Sequence, residues 1–399
     1  MIYNHIQLKK QMIDNDIDIV VASTKENINY FTGYNPVVKT LNPYYGESYV
    51  VIFKDSTEKI SVVVPVAEVD QVQDCKSNLL EVRTFGTFYR EHCGAELSDE
   101  ELELKDYSNT ELSFETAASA LLSLLETYRG GKHLNIAIDE DATPQKTRQL
   151  LASNENFTVE PLASLIRKVR VFKTEYEIEM LSESAKINER AIDSVLQNLE
   201  EGMSEEDIRV IFEIELVKHG AKPALTMVKI GRAAVGGQRT QKNHIKLKAG
   251  DLIWFDSDAC YQGFWSDIAR VYPYKEVTDR AEQIYSGLQK SMQSAVELIR
   301  PGMKASDVFH LMMEVAQKNG VPHYRRHHVG HGIGHEPYEM PILQPKDDTV
   351  IEVGMVLSIE TPYYELGFGA LHIEDPIYIG EHENRLLTSR PIPCLRVVK

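Results

Sequence analysis

Apolar positions through roughly the first 160 residues switch repeatedly between a helical period and short continuous runs. Residues 4–15 carry apolar side chains at helical spacing. DIVVAS (18–23) is a continuous run that reads as a buried strand, and YVVIFKD (49–55) with KISVVVP (59–65) reads as a strand pair. VAEVDQVQDC (66–75) is expected to be helical, and the acid-rich LSDEELELKD (97–106) a solvated helix or loop. ETAASALLSLLETYR (115–129) has clear helical spacing, and HLNIAID (133–139) is another strand. The alternation predicts an α/β domain. The stretch 165–199 then opens a long helix, with Thr174 as N-cap and Glu175 and Glu177 in the first turn. This puts the domain boundary near Lys173, with an N-terminal domain over 1–165 and a C-terminal domain over 173–399.

The second half repeats itself. EEGMSEEDIRVIFEIELVKHGA (200–221) matches IRPGMKASDVFHLMMEVAQKNGV (299–321) at Gly202/Gly302, Met203/Met303, Asp207/Asp307, Lys218/Lys318 and Gly220/Gly320, an offset of 100. Two amphipathic helices closed by glycine look alike for local reasons. Five identities in one ungapped register favour duplication instead. The repeat continues into acidic strands: Gly250 precedes Asp256 by six residues, as Gly354 precedes Glu360. Gly263 then precedes Asp267, and Gly369 precedes Glu374. Each half therefore offers a helix pair followed by a hairpin bearing two acids, and facing halves would gather four carboxylates about a pseudo-twofold axis.

Charge and cysteine usage narrow the classes. With 43 basic and 60 acidic residues the net charge is −17, and no basic stripe interrupts it. That argues against nucleic acid and anionic membranes as partners. Cys75, Cys93, Cys260 and Cys394 are scattered without a CxxC pair, against a disulfide framework or a thiolate zinc site. No apolar run approaches the roughly 18 residues that span a bilayer. The N-terminus reads as an amphipathic helix rather than a signal peptide, so the cytoplasm is the expected location, and the sequon at Asn156 is taken as chance.

The acids lie in apolar, strand-forming surroundings: Asp256 and Asp267 in LIWFDSDACYQGFWSDIARVYP, Glu360 and Glu374 in VLSIETPYYELGFGALHIEDPIYIG. Buried carboxylates without partners are costly. Bound cations would neutralise them, and His331 in HHVGHGIGHEP adds an imidazole. Any one of these acids reads more simply as a hairpin cap or solvated group; the set reads as a site for two divalent cations. Hard oxygen donors suit Mn²⁺, Co²⁺, Fe²⁺ or Zn²⁺, and four carboxylates to one imidazole favour Mn²⁺. Two such ions about 3.5–4 Å apart can share a water and lower its pKa.

These segments resemble the M24 "pita-bread" metallopeptidases, the family of methionine aminopeptidase, Xaa-Pro aminopeptidase and prolidase. WFDSDACYQGFWSDIAR is similar to the family's Asp-x-Gly…Ser-Asp-x-x-Arg segment, HHVGHGIG to its His-Gly-x-Gly-His-Gly-x-Gly segment, SIETPYY to its Ile-Glu-Pro strand and HIEDPIYI to its Arg-Ile-Glu-Asp strand. The resemblance runs from about Lys173 onward. More loosely, the first domain and INYFTGY (28–34) resemble the creatinase/prolidase N-terminal domain. It implies an α/β (α+β) fold: a creatinase-like N-terminal domain and a pita-bread catalytic domain with an internal pseudo-twofold repeat. It also implies a homodimeric dimetal hydrolase cleaving Xaa-Pro dipeptides, or the N-terminal residue of short peptides, with a hydroxide bridging the metals. Carried over, Asp256 chelates one metal and His331 the other, Asp267 and Glu374 bridge them, and Glu360 is both ligand and proton shuttle. His327 falls on a further active-site histidine.

Departures from the family pattern bear on substrate. Tyr338 stands where the peptidases carry a second histidine, with His335 three residues earlier as a possible substitute. Arg239 replaces a histidine before the first ligand, with His244 nearby; it is a candidate for a substrate carboxylate, in the Gly-rich loop 231–239. His372 replaces the Arg of Arg-Ile-Glu-Asp, Asp258 replaces the Gly of Asp-x-Gly, and Ala269 replaces a Thr, while Arg270 is kept. The catalytic candidates are thus Glu360, His327, Tyr338 and His372, with Arg239 and His335 as substrate contacts. The altered residues keep open a second reading: the same scaffold hydrolysing or lysing a non-peptide amide or amidine. A pure binding module is opposed by the survival of all five ligands. Tyr44, Tyr45 and Tyr49 read as an aromatic loop, which in prolidase-like dimers can cap the partner's site.

Overall fold

The computed structural model describes all residues except Thr110, Gln241, Asn243 and 391–393, and divides into two units, Met1–Arg170 and Val171–Lys399. In the first unit, β1 (Ile19–Ala22), β2 (Tyr49–Phe53), β3 (Lys59–Pro65), β4 (Asn78–Phe85), β5 (Leu134–Ile138) and β6 (Phe157–Pro161) form one sheet in the order β4-β3-β2-β1-β5-β6. β2 pairs antiparallel with β1 and β3, and the other pairings are parallel. β1 and β2 are apolar throughout because they are buried along their whole length. The helix Ala117–Arg129 lays Ala120, Leu121, Leu124 and Leu125 against Ile19, Val21, Val51 and Val63.

Residues 66–75 are helical over Val66–Val72, as a 3₁₀ helix. One local expectation changes. Tyr49 does not belong to an aromatic loop: it is fully buried in β2, while Tyr44 and Tyr45 are exposed.

The second unit opens with the helix Glu175–Asn198. Thr174 accepts a hydrogen bond from the Glu177 backbone N–H at 3.2 Å, and Glu177 accepts one from the Thr174 N–H at 2.7 Å, a reciprocal cap. Burial pushes the Glu177 carboxyl up from 4.5 to about 7 despite the pull of Lys173. The native state therefore holds a proton there that the unfolded chain has released, and stability falls as pH rises from 4.5 through about 7. Glu177→Gln keeps an acceptor for the cap and removes this loss. We predict that it stabilises the protein by on the order of 1–3 kcal/mol at about pH 8, and has little effect at about pH 5, in urea unfolding.

The duplication is visible as structure. The helices Glu205–Lys218 and Ala305–Lys318 sit at the same offset as the sequence repeat. The loops before them pair alike: Gly202 N–H donates to Leu247 O and Gly302 N–H to Ile351 O, both at 2.8 Å. β7 (Lys222–Ile230), β8 (Leu252–Tyr261), β9 (Phe264–Pro273), β10 (Gly330–Gly332), β11 (Glu339–Ile342), β12 (Val356–Glu360), β13 (Tyr363–Glu365), β14 (Gly369–Leu371) and β15 (Glu374–Tyr378) follow. All but β13 and β14 join one curved sheet in the order β11-β10-β12-β15-β9-β8-β7. The two halves meet at β9 and β15. Ile208 and Phe212 of the first repeat pack on Ile253, Phe255 and Ile268, and Val308 and Met312 of the second share a core with Leu357, Ile359 and Ile377.

The halves are not identical. β8 and β9 are joined by the tight turn Gln262–Gly263, both residues at positive φ (51° and 93°). β12 and β15 are also paired antiparallel, but the chain between them makes a separate two-stranded ribbon, β13–β14.

Candidate metal centre

Cross-strand register places the acids on one face of the sheet. Asp256 lies opposite Ala269, Asp258 opposite Asp267, Glu360 opposite Glu374, and Glu374 also opposite Ala269. Partners in register point the same way, as do residues two apart on one strand. Five carboxylates therefore converge, and four of the five acids (Asp258, Asp267, Glu360, Glu374) belong to residues at most 7 % exposed. All five line one cavity of about 620 Å³ together with Arg239, Arg326, His327, His328, Tyr338 and Tyr364.

Behind the acids the strands are clamped by Arg270. Its guanidinium donates to Asp375 at 2.6 and 3.2 Å and to the Glu374 carbonyl at 2.7 Å, tying β9 to β15 across the seam of the two repeats. Ser358 donates to Glu374 Oε1 at 3.0 Å and fixes one face of that carboxylate.

His331 enters from β10. Gly330 and Gly332 flank it because β10 runs too close to its neighbours for a side chain: a Cβ on either glycine would overlap the backbone carbonyl of Ser358 or Met340. His331 Nδ1 lies 3.0 Å from the Gly332 carbonyl, which makes that nitrogen the protonated one. Nε2 then faces Asp267 at 3.6 Å and Glu374 at 3.7 Å with its lone pair free. Nε2 makes no hydrogen bond although the ring is fully buried.

Among the described residues, ligand atoms of Asp267, His331 and Glu374 fall within 4.8 Å of one another, and so do those of Asp256, His372 and Glu374. Glu374 is common to both groups. These residues fit two divalent cations sharing one carboxylate.

The electrostatics agree. Burial, then the neighbouring acids, push Glu374 and Asp258 well above the ordinary carboxylate range, and burial raises Asp256 to about 7. Burial also works against Glu360, yet the contacts of His328 and His372 outweigh it and hold its carboxyl below the usual range. His331 is raised, because Asp267 outweighs the effect of burial. Without cations this cluster keeps protons, so cations must displace them. We predict that cation binding at about pH 7 releases protons to buffer, and that apparent affinity weakens as pH drops below about 7. Calorimetry in buffers of different ionisation enthalpy measures the release; a value of zero would contradict the shift.

The substrate-side candidates separate. Tyr338 stacks on His331, centroids 3.7 Å apart and planes 18° apart, and is 52 % exposed toward the cavity. Burial of its ring and the surrounding acids raise its phenol, so it remains a proton donor. Arg239 lines the cavity in a loop pinned at its base: Lys229 donates to the Arg239 carbonyl, and Glu205 accepts from the N–H groups of Ile230 and Lys242. His327 also lines the cavity, but the histidine that meets Glu360 is its neighbour: His328 Nδ1 is 2.7 Å from Glu360 Oε1. His335 does not join them. It is buried edge-on against Phe264, 4.2 Å between centroids, and is not part of the cavity wall. Its backbone N–H donates to Glu339, itself held by Lys173 at 2.7 Å.

Asp258, His328, Arg326 and Tyr364 were not among the residues expected to form the site. Asp258 had a signal: in Asp256-Ser257-Asp258 the two acids are two apart on a strand and must share a face.

The profile of metallopeptidase family M24 matches residues 179–381, and that of the creatinase/prolidase N-terminal domain matches residues 6–172. The chain belongs to metallopeptidase family M24. As an M24 hydrolase it is 27 % identical over 386 residues to a Xaa-Pro dipeptidase of Pyrococcus furiosus, covering 96 % of each chain. Its fold is shared with a prolidase of Pyrococcus horikoshii (TM-score 0.73, 22 % identity, 98 % of this chain and 99 % of that one). It is also shared with an X-Pro aminopeptidase of Thermotoga maritima (TM-score 0.75, 20 % identity, 98 % and 100 %). No helix among the described residues of this M24 chain is long and apolar enough to cross a membrane.

Proposed function

We propose that this M24 hydrolase is a dinuclear metal-dependent peptidase that cleaves Xaa-Pro dipeptides or the N-terminal residue of short peptides. The observation that carries the reading is Glu374, shared by two groups of converging ligand atoms whose carboxylates line one cavity. Asp256 would hold one cation and His331 the other, with Asp267 and Glu374 between them and Glu360 completing the set. Carboxylate-rich donors suit manganese, with cobalt, zinc or iron as alternatives. When bound, divalent cations supply Lewis-acid polarisation of the scissile carbonyl and a water acidic enough to lose its proton near neutral pH.

The chain's own groups do the rest. Glu360, kept ionised by His328 and His372, accepts the proton of the attacking water and delivers it to the leaving nitrogen. Tyr338, which stays protonated, donates a hydrogen bond to the developing oxyanion. Arg239 and Arg326, both on the cavity wall, meet the substrate's C-terminal carboxylate. Tyr44 and Tyr45, exposed in the first unit, support a homodimer in which their loop covers the partner's cavity.

The test is a panel of Xaa-Pro dipeptides offered to manganese-loaded protein, with free proline as readout. Proline release that chelator abolishes is the expected result. A loaded enzyme silent across the panel sinks the proposal. Tyr338 in place of histidine, and Asp258 in place of glycine, favour a second reading, in which a small non-peptide amide or amidine is the substrate. In that case Tyr338→His raises turnover of peptides. Strong native dipeptidase activity with no gain in Tyr338→His counts against it.

A further inference from the structure

We infer that His372 is itself a metal ligand, so that the cation held by Asp256 and Glu374 takes an imidazole nitrogen as well as carboxylate oxygens. The inference rests on the dinuclear reading above and goes beyond the ligand set that the family resemblance supplies, where this position is an arginine. A guanidinium cannot ligate a cation; it can only neutralise the acids around it. An imidazole with a free lone pair can ligate.

Three observations converge. First, His372 is 1 % exposed and neither ring nitrogen makes a hydrogen bond. A buried imidazole with both nitrogens unsatisfied is costly unless something else engages it. Second, both nitrogens face carboxylates. Nδ1 is 3.7 Å from Asp256 Oδ2, and Nε2 is 3.3 Å from Glu360 Oε2 and 3.6 Å from Glu374 Oε2. Separations of 3.3–3.7 Å also fit ligand atoms gathered around a common ion. Third, the ring is held in place: it lies nearly parallel to the buried Trp254, with planes 22° apart.

The consequence is for metal choice. With His331 serving one position and His372 the other, each cation has one nitrogen and at least two carboxylates. Imidazole donors move preference from manganese toward zinc, cobalt or iron. With His372 as a ligand the donor set is no longer four carboxylates to one imidazole, and the preference for manganese weakens at the Asp256 side.

The test is a crystal structure of the full chain loaded with zinc, using anomalous scattering to place the ions. It is joined by zinc and manganese titrations of the wild type and of His372→Arg. The expected result is two anomalous peaks, one of them about 2.0–2.1 Å from a His372 nitrogen. In the titrations, His372→Arg should weaken one of two zinc-binding steps by at least about 10–100-fold and manganese binding by less. Two peaks with His372 more than about 3 Å from both would overturn the inference and leave the dinuclear reading standing. Fewer than two bound ions in the wild type would overturn both. A His372→Arg protein whose zinc-over-manganese preference equals that of the wild type would also overturn it, whatever its activity.

Discussion

Replacing Glu374 with alanine is expected to abolish cation binding at both positions and to lower turnover by about 10³-fold or more, since the Lewis-acid contribution amounts to several kcal/mol. The reason is placement: this carboxylate is common to both groups of converging ligand atoms. The effect on stability has a sign that separates ligation from packing. In the cation-free protein Glu374 is forced well above the usual carboxylate range by burial and by four neighbouring acids. Removing it relieves that crowding, so the variant in chelator should melt at or above the wild type. With cation present the order reverses. The wild type gains about 2.7 kcal/mol for an ion at 100 times its dissociation constant, and the variant gains almost nothing. Thermal melts of both proteins with chelator and with added cation test this. A variant that is less stable under both conditions would mean that Glu374 is a packing residue.

The second large effect lies behind the metal face. Arg270→Met should destabilise the second unit by about 3–5 kcal/mol, because it leaves Asp375 charged and buried with Thr388 as its remaining side-chain hydrogen-bond donor among the described residues. The same change frees the Glu374 carbonyl from its 2.7 Å tie to β9, so cation affinity should fall together with stability. Arg270→Met/Asp375→Leu removes both charges and should recover much of the stability. Urea unfolding of the two variants decides the matter. A double variant no more stable than the single one would mean that shape, rather than an orphaned charge, dominates the loss.

Much of this was legible in the chain. The offset of 100 between Gly202 and Gly302 appears again in the loops that pair with Leu247 and Ile351. The clustering of the acids was legible because a carboxylate in an apolar strand needs a partner. What escaped was set by tertiary context. β4 and β6 carry exposed positions at sheet edges, and so lack the continuous apolar run that betrays β1 and β2. Nothing in the His327-His328 pair says which ring meets Glu360; in the fold it is His328. His335 and Tyr338 both follow a glycine-rich turn; His335 packs edge-on against Phe264 while Tyr338 faces the cavity. Asp258 was noticed as a departure from a pattern, but its place opposite Asp267 required the register of β8 and β9.

The inequality of the two hairpins has a consequence for how the centre fills. In the first, the acids of β8 and β9 stand in a tightly closed ladder, with Asp258 beside Asp267. In the second, Glu360 and Glu374 face each other directly, and the chain between them detours through β13–β14, bringing Tyr364 to the cavity wall. The two ends of the site thus differ in how their strands are joined and in the donors they present. If two cations bind as proposed, ends so unequal predict filling in two steps with separate dissociation constants. Across the interval between those constants one position would be filled and the other empty, and turnover would track the free-ion concentration around the protein.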